Sequence, residues 1–365
     1  MVILGSTGSI GKNTLALCEK FNVEVEALSC AKNVDLLNEQ ILKFKPKFVC
    51  VGDEKLAKNV KNIEAKKIFF GETGLLEMLE ISSSKKVINA LVGFAGLAPS
   101  LKTQALGKKL ALANKESLVV GGKFLKTREI LPIDSEHFGL KFLLENKTTP
   151  SKLIITASGG AFYKKPIKFL KDATPSDALK HPNWDMGAKI TIDSATMTNK
   201  LFEVMEAYWL YGIKDIEAVI EPTSAIHAVV EFIDGSSTMH LSRTDMKLAI
   251  SHAIFEKVEQ NIVSHANLLD LKNIKFNKIS LKKYPVFSLK DEVLANPDLG
   301  VVINAANEVG VFSFLEKKCS FLDISRLILG SAKKFKILKI SSVDEIYEVD
   351  KEVREYAKRM LNAKV

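Results

Sequence analysis

Short apolar runs and longer amphipathic stretches alternate through the first third of the chain. The runs Met1–Leu4, Val23–Ser29, Lys47–Val51, Lys67–Phe70, Val87–Leu91 and Lys109–Ala113 read as buried strands, with helices between them, among others one ending near Lys20 and one over Val34–Lys45. This alternation predicts an α/β domain built on a parallel, doubly wound sheet. The pattern then changes. A strand is expected at Lys152–Ala157, and Tyr163–Lys189, proline-containing and without a sustained period, is expected as a long loop. From Ser194 the positions Met197, Leu201, Val204, Met205 and Leu210 share one helical face, with Asp193 or Ser194 as N-cap. Strands follow at Glu217–Glu221, Ala228–Ile233 and Thr238–Ser242, the last two joined by the turn Asp234-Gly235-Ser236. Residues 244–291 connect this α+β region to amphipathic helices at Asn304–Glu316, Leu322–Lys334 and Val343–Leu361.

Several stretches carry more chemistry than a core needs. Gly5-Ser-Thr-Gly8-Ser-Ile-Gly11 lies between the first strand and the first helix, where glycines let a backbone approach a pyrophosphate facing a helix N-terminus. The second strand ends in Ala31-Lys32-Asn33 without an acid, which suits a ribose 2′-phosphate and so NADP; Asn33 serves equally as a helix cap. Asn114-Lys115-Glu116-Ser117 follows a strand at the carboxyl end of the sheet, where such sheets bind ligands. Asp134 and Glu136 can present hard oxygens to Mg²⁺ or Mn²⁺, or simply favour a helix dipole. His181 to Glu203 concentrates an imidazole, an indole, hydroxyls, Asn199, Lys200 and Glu203. A helix start there with Lys200 would form a phosphate pocket, and Asn199, Lys200 and Glu203 can project to one side. Taken singly, each has an ordinary reading as a cap or an exposed ion pair; their co-occurrence favours a site.

Composition narrows the classes. At 365 residues, 47% apolar and 26% charged, the chain is expected to form two or three globular domains. The net charge of +9 comes from lysines dispersed beside acids, which predicts a solvated surface favouring small anions and not a nucleic-acid face. The uncharged run Val87–Leu101 is too short and too broken by Asn89, glycines and Pro99 to span a membrane. No signal peptide is read at MVILGSTG, and Cys18, Cys30, Cys50 and Cys319 show no metal-ligand spacing, which together predict a cytoplasmic protein.

These motifs, with Ala157-Ser-Gly-Gly160, His181-Pro-Asn-Trp-Asp-Met-Gly187, Asp193-Ser-Ala-Thr196 and Asn304-Ala-Ala-Asn-Glu308, occur in an order that resembles the 1-deoxy-D-xylulose 5-phosphate reductoisomerases. The resemblance implies conversion of that sugar phosphate to 2-C-methyl-D-erythritol 4-phosphate, in non-mevalonate isoprenoid synthesis, by a homodimer. It implies NADPH and Mg²⁺ or Mn²⁺, with Co²⁺ as a further candidate. It also implies a Rossmann-like NADPH-binding domain over 1–134, a catalytic and dimerisation domain over 135–257 with a flexible loop at 158–188, a linker over 258–290 and a helical domain over 291–365. Matched residue by residue, Asp134, Glu136 and Glu203 would hold the metal, and Lys115, Glu136 and His181 would be catalytic. Ser158, Ser194, Asn199 and Lys200 would bind phosphate, Lys115, Ser135, Glu136 and His181 the rest of the substrate, and Trp184 and Met186 would cover it from the loop. Thr7, Gly8, Ser9, Ile10, Ala31, Lys32, Asn33, Asn114, Glu116 and Gly187 would contact NADPH. Ala31, Ala161 and Thr198 depart from the expected Gly, Pro and Met; a positive φ would be disfavoured at Ala31. A plain sugar-phosphate dehydrogenase would leave the three acids unexplained, and a non-catalytic NADP-binding regulator would bind NADPH without metal-dependent turnover.

Overall fold

The computed structural model describes residues 1–145, 148–255, 257–271 and 273–363, so the last two residues of the expected terminal domain lie outside the described residues. The chain forms two compact units: Met1–Ser117 with Phe124–Asp134 and Asp245–Val263, and Leu118–Lys123 with Ser135–Thr244 and Ser264–Val365.

The first unit is built on seven strands, β1 (Val2–Leu4), β2 (Ala27–Cys30), β3 (Phe48–Val51), β4 (Ile68–Phe70), β5 (Lys86–Asn89), β6 (Lys109–Leu112) and β7 (Leu131–Pro132). All pair in parallel, in the order β4-β3-β2-β1-β5-β6-β7. Helices cover such a sheet on both faces, which is why β1 is apolar at every position and Val2, Ile3 and Leu4 are wholly buried. The order reverses direction between β1 and β5, placing a topological switch point beside the glycine turn. Two of its glycines are sterically required. Gly5 has φ +80° and a Cβ there would lie 2.5 Å from the Ala90 carbonyl oxygen; one on Gly11 would lie 2.3 Å from that of Gly5. The helix Lys247–Ile254 also packs here, with Phe255 edge-on to Phe21 at 5.1 Å and Lys86 donating to the Ile254 carbonyl at 2.5 Å.

The second unit contains a mixed sheet of β8 (Pro150–Ala157), β9 (Ile216–Ile220), β10 (Ile226–Phe232), β11 (Ser237–Leu241) and β12 (Asn277–Lys278), ordered β11-β10-β8-β9-β12. Only β8 and β9 are parallel. Helices Ser135–Leu144 and Thr198–Tyr211 lie on it, and the helices Leu299–Leu315, Phe321–Lys334 and Val343–Asn362 belong to the same unit. Among the described residues no helix is long and apolar enough to cross a membrane.

Three expectations are corrected. The helix expected from Ser194 is two helices, Ala188–Thr196 and Thr198–Tyr211, jointed at Met197, which adopts the left-handed conformation with φ 67°. Ser194 therefore sits in the last turn of the upstream helix and is not an N-cap, and neither is Asp193. The start at Ala188 was hidden because Ile190, Thr191 and Ile192 are β-branched, a preference that burial overrides. The long loop correspondingly ends at Gly187, and it contains a short helix at Pro175–Ala178 with a Thr174–Asp177 capping box. Finally, the helix expected from Asn304 begins at Leu299 and is buried nearly all round; buried Asn304, Asn307 and Glu308 interrupt its apolar period.

Candidate active site

In the first unit the glycine turn and the end of β2 present the expected nucleotide residues at the carboxyl edge of the sheet. Gly8 is exposed, and Thr7, Ser9 and Ile10 are half-buried at the start of the first helix. Ala31, Lys32 and Asn33 are exposed, and the Asn33 side chain caps the next helix by accepting from Leu36 N–H at 3.1 Å. Ala31 is absent from the left-handed residues, so alanine strains nothing there. Its carbonyl accepts from Gly52 N–H at 3.1 Å. Asn114 is buried: its amide nitrogen lies within donating distance of the carbonyls of Leu91 and Gly93 and of Glu116 Oε2, while its oxygen accepts from Ser117 N–H. It thus locks the end of β6 onto the loop after β5. Beside it, Lys115 Nζ donates to Asp134 Oδ2 at 2.6 Å, a pair only 5% and 13% exposed.

The second unit gathers most of the expected substrate residues. Ser135 and Glu136 open one helix, and Asn199, Lys200 and Glu203 lie in the first turns of Thr198–Tyr211. Lys200 Nζ donates to Glu136 Oε1 at 2.6 Å and to Glu203, and Asn199 donates its amide to Glu203. Ser135 Oγ donates to the other Glu136 oxygen at 2.5 Å. Burial would lower the Lys200 pKa, but the carboxylates of Glu136 and Glu203 outweigh it and raise it, so the ammonium stays charged. Two hard carboxylates therefore already converge on one cationic group, which is the donor chemistry Mg²⁺ requires. Asp134 precedes Glu136 by two residues in the chain.

A second cluster surrounds the end of β8. His181 Nδ1 accepts from the N–H groups of Asn183 and Trp184 at 3.2 and 3.0 Å, so the ring proton is on Nε2 and is donated to Ser158 Oγ at 2.9 Å. Ser158 Oγ also accepts from Gly160 N–H at 3.1 Å. With both acceptor positions taken, the Ser158 hydroxyl can only donate, which suits an anion. Burial lowers the His181 pKa to about 4, leaving the ring neutral. Gly160, with φ +68°, fits so closely against the upstream helix that a Cβ would stand 2.6 Å from the Ser194 carbonyl oxygen. This packing brings the Ser158 loop to the helix end carrying half-buried Ser194. Gly187 precedes that helix in open space.

Some participants were not anticipated. His227 on β10 faces Ser135 Oγ at 3.2 Å and lies edge-on to Trp184 at 6.1 Å. Asn183 anchors the loop by donating to the Pro222 carbonyl and to Ser224 Oγ. A lone histidine in an apolar strand carries no sequence signal; Asn183 lies inside the His181–Gly187 motif, whose pattern gives it no role of its own. Conversely, His137, the last residue of the Asp134–His137 motif, is wholly buried and pairs with Glu206 at 3.2 Å, a structural contact.

A nucleotide-binding parallel sheet, joined in one chain to a carboxylate and phosphate-type site, defines a metal-dependent nucleotide oxidoreductase acting on a small phosphorylated substrate. Family models match in three consecutive parts: 1-deoxy-D-xylulose 5-phosphate reductoisomerase over residues 1–122, its C-terminal domain over 130–211, and the DXP reductoisomerase C-terminal domain over 241–356. The reductoisomerase of Campylobacter curvus is 70% identical over 365 residues, the whole of both chains. A crystal structure of DOX-P reductoisomerase in complex with NADPH, fosmidomycin and magnesium is 33% identical, with a TM-score of 0.90, and the match covers 99% of this chain and 98% of that one. The enzyme from Zymomonas mobilis in complex with NADPH is 31% identical with a TM-score of 0.87, at the same coverage. The chain belongs to the 1-deoxy-D-xylulose 5-phosphate reductoisomerase family.

Proposed function

We propose that the residues assembled here carry out the family reaction, the NADPH- and divalent-metal-dependent rearrangement and reduction of 1-deoxy-D-xylulose 5-phosphate to 2-C-methyl-D-erythritol 4-phosphate. The observation that carries the reading is the convergence of Glu136 and Glu203 on a single cationic group. With Asp134 they are the ligand set for Mg²⁺, with Mn²⁺ or Co²⁺ as alternatives. When bound, the metal supplies Lewis-acid polarisation of the substrate carbonyl and the nicotinamide supplies hydride.

The chain's own residues bind and orient. Ser158, Ser194, Asn199 and Lys200 take the phosphate; the donor-only Ser158 hydroxyl and the charged Lys200 support this. Binding a remote phosphate supplies energy for orienting the reacting carbons. Lys115, Ser135, Glu136 and His181 address the carbonyl and hydroxyls. Lys115, held by Asp134, is a buried ammonium able to stabilise developing negative charge. His181, neutral and protonated on Nε2, orients Ser158 and acts as a hydrogen-bond donor, not as a cation. Trp184 and Met186, on the 158–188 loop, exclude water from the reacting centre. NADPH is held by Thr7, Gly8, Ser9, Ile10, Ala31, Lys32, Asn33, Asn114, Glu116 and Gly187, and exposed Lys32 suits the 2′-phosphate. The domain limits 1–134, 135–257, 258–290 and 291–365, a homodimer and a cytoplasmic location complete the reading; the location is supported by four free cysteines.

The test follows NADPH absorbance with the sugar phosphate, with and without Mg²⁺, and identifies the product. Glu203→Gln is expected to abolish metal-dependent formation of the branched product while leaving NADPH binding intact. Full activity of that variant in chelator-treated buffer, or an unbranched product from the parent protein, would overturn the reading.

A further inference from the structure

The phosphate-binding residues proposed above straddle a joint between two helices, and that joint is held by a buried network that no binding role explains. Ser194 lies in the last turn of Ala188–Thr196, and Asn199 and Lys200 lie in the first turn of Thr198–Tyr211. Between them Met197 is 1% exposed and has φ 67°, a conformation in which a side chain other than glycine is strained. Such a residue persists only where its surroundings over-determine it. The adjoining contacts do so. Asp193 is 2% exposed; its Oδ2 pairs with Lys189 Nζ at 2.9 Å and its Oδ1 accepts from Asn307 Nδ2 at 2.8 Å. The Asp193 carbonyl accepts from Thr196 Oγ1 at 3.1 Å, and that hydroxyl meets Thr198 Oγ1, across the joint, at 2.8 Å. Lys189 lies 5.3 Å from the ring centre of Phe202 on the downstream helix.

We infer that Asn307 is a positioning residue for phosphate recognition: through Asp193 it fixes the helix joint at Met197 and thereby the relative placement of Ser194, Asn199 and Lys200. Asn307 belongs to the helix Leu299–Leu315, whose other buried positions are mostly apolar, and it is wholly buried itself. Among the described residues its Oδ1 has no hydrogen-bond partner. An apolar residue would fill this helix face without leaving an acceptor unsatisfied, so the amide is accounted for by the bond it donates to Asp193. The motif Asn304-Ala-Ala-Asn307-Glu308 then divides into two tasks. Asn304 and Arg354 bind Glu308, at 3.2 and 2.7 Å, and tie the terminal helices together, whereas Asn307 reaches the site.

The inference rests on the phosphate reading, and the experiment separates the two. Asn307→Leu and Thr196→Val, which cuts the same network at its other end, are measured for kcat and KM with the sugar phosphate, competitive inhibition by inorganic phosphate, NADPH binding by fluorescence, and Tm. For either variant, KM and the phosphate inhibition constant are expected to rise together by about tenfold or more, as for other groups that orient a ligand-binding residue, while kcat and NADPH affinity stay within about twofold. Ser194→Ala is the reference. If it weakens phosphate inhibition while Asn307→Leu and Thr196→Val lower only Tm, or lower kcat with KM unchanged, the positioning role is refuted. If Ser194→Ala leaves phosphate inhibition unchanged, the phosphate reading itself fails. Thr196→Val keeps the test available should Asn307→Leu not fold.

Discussion

Replacing Gly160 by alanine should damage substrate binding more than stability, and the structure fixes the size of the displacement. At φ +68° an L side chain costs about 1–2 kcal/mol in backbone conformation. The new Cβ would stand 2.6 Å from the Ser194 carbonyl oxygen and 2.8 Å from Ala195 Cα, where ordinary contact begins at 3.4 Å, so the loop and the helix end must separate by 3.4 − 2.6 = 0.8 Å. Both neighbours are backbone, and no side chain can rotate away. Misplacing a binding group by about 1 Å costs up to roughly 10²-fold in rate or affinity, so KM for the sugar phosphate is expected to rise between about 10- and 100-fold. Tm should fall by roughly 2–4 °C per kcal/mol. Gly235→Ala is the control: it has φ +85° in the hairpin turn and nothing within 4 Å of the added Cβ. It should show a comparable conformational penalty in Tm with KM unchanged. Steady-state kinetics and thermal unfolding of both variants decide the matter. If Gly160→Ala retains the parent KM, or if the two variants behave alike, the close seating of the Ser158 loop against Ser194 does not govern phosphate binding.

Two pH-dependent effects follow from groups in separate units. Glu26 is 4% exposed and accepts from Ser82 Oγ and Ser83 Oγ at 2.8 Å and from the N–H groups of Ser83 and Ser84 at 3.1 and 2.7 Å. Burial pushes its pKa up, but the bonds from Ser84, Ser82 and Ser83 outweigh that and hold it well below the usual carboxylate range. Because a depressed acid stabilises the fold above its unfolded pKa and loses this as pH falls toward the folded value, urea midpoints should drop on acidification below about pH 4.5. Glu26→Gln should lose about 2 kcal/mol or more at neutral pH and flatten that acid slope; an unchanged midpoint would show the serine cage to be incidental. His181 acts in the same direction, at higher pH. Its folded pKa of about 4 lies below the unfolded value of 6.5, so the unfolded chain takes up a proton the folded one refuses, and stability should decline as pH falls from about 6.5 to 4. His181→Gln should remove this decline, as read by Tm across that window, and a decline of the same size in the variant would place its cause elsewhere.

The sequence by itself determined the first sheet, the family and the cofactors that go with it. Continuous apolar strands, regular alternation and a glycine turn between β1 and its helix depend on local spacing alone, and a parallel sheet follows from them. The acids, the phosphate-type residues and the order of motifs were legible for the same reason, since they are written in residue identity. Tertiary structure decided the rest. The break at Met197 was hidden because β-branched Ile190 and Ile192 argue against a helix until burial overrides their preference, and because the left-handed residue is a methionine that only its surroundings hold in place. The helix read as amphipathic from Asn304 begins at Leu299, because Leu299–Ile303 are buried on every side and show no polar face to mark the start. The roles of His227 and Asn307 depend on partners 92 and 114 residues away in the chain, Ser135 and Asp193, and no window of sequence contains both ends of such a bond.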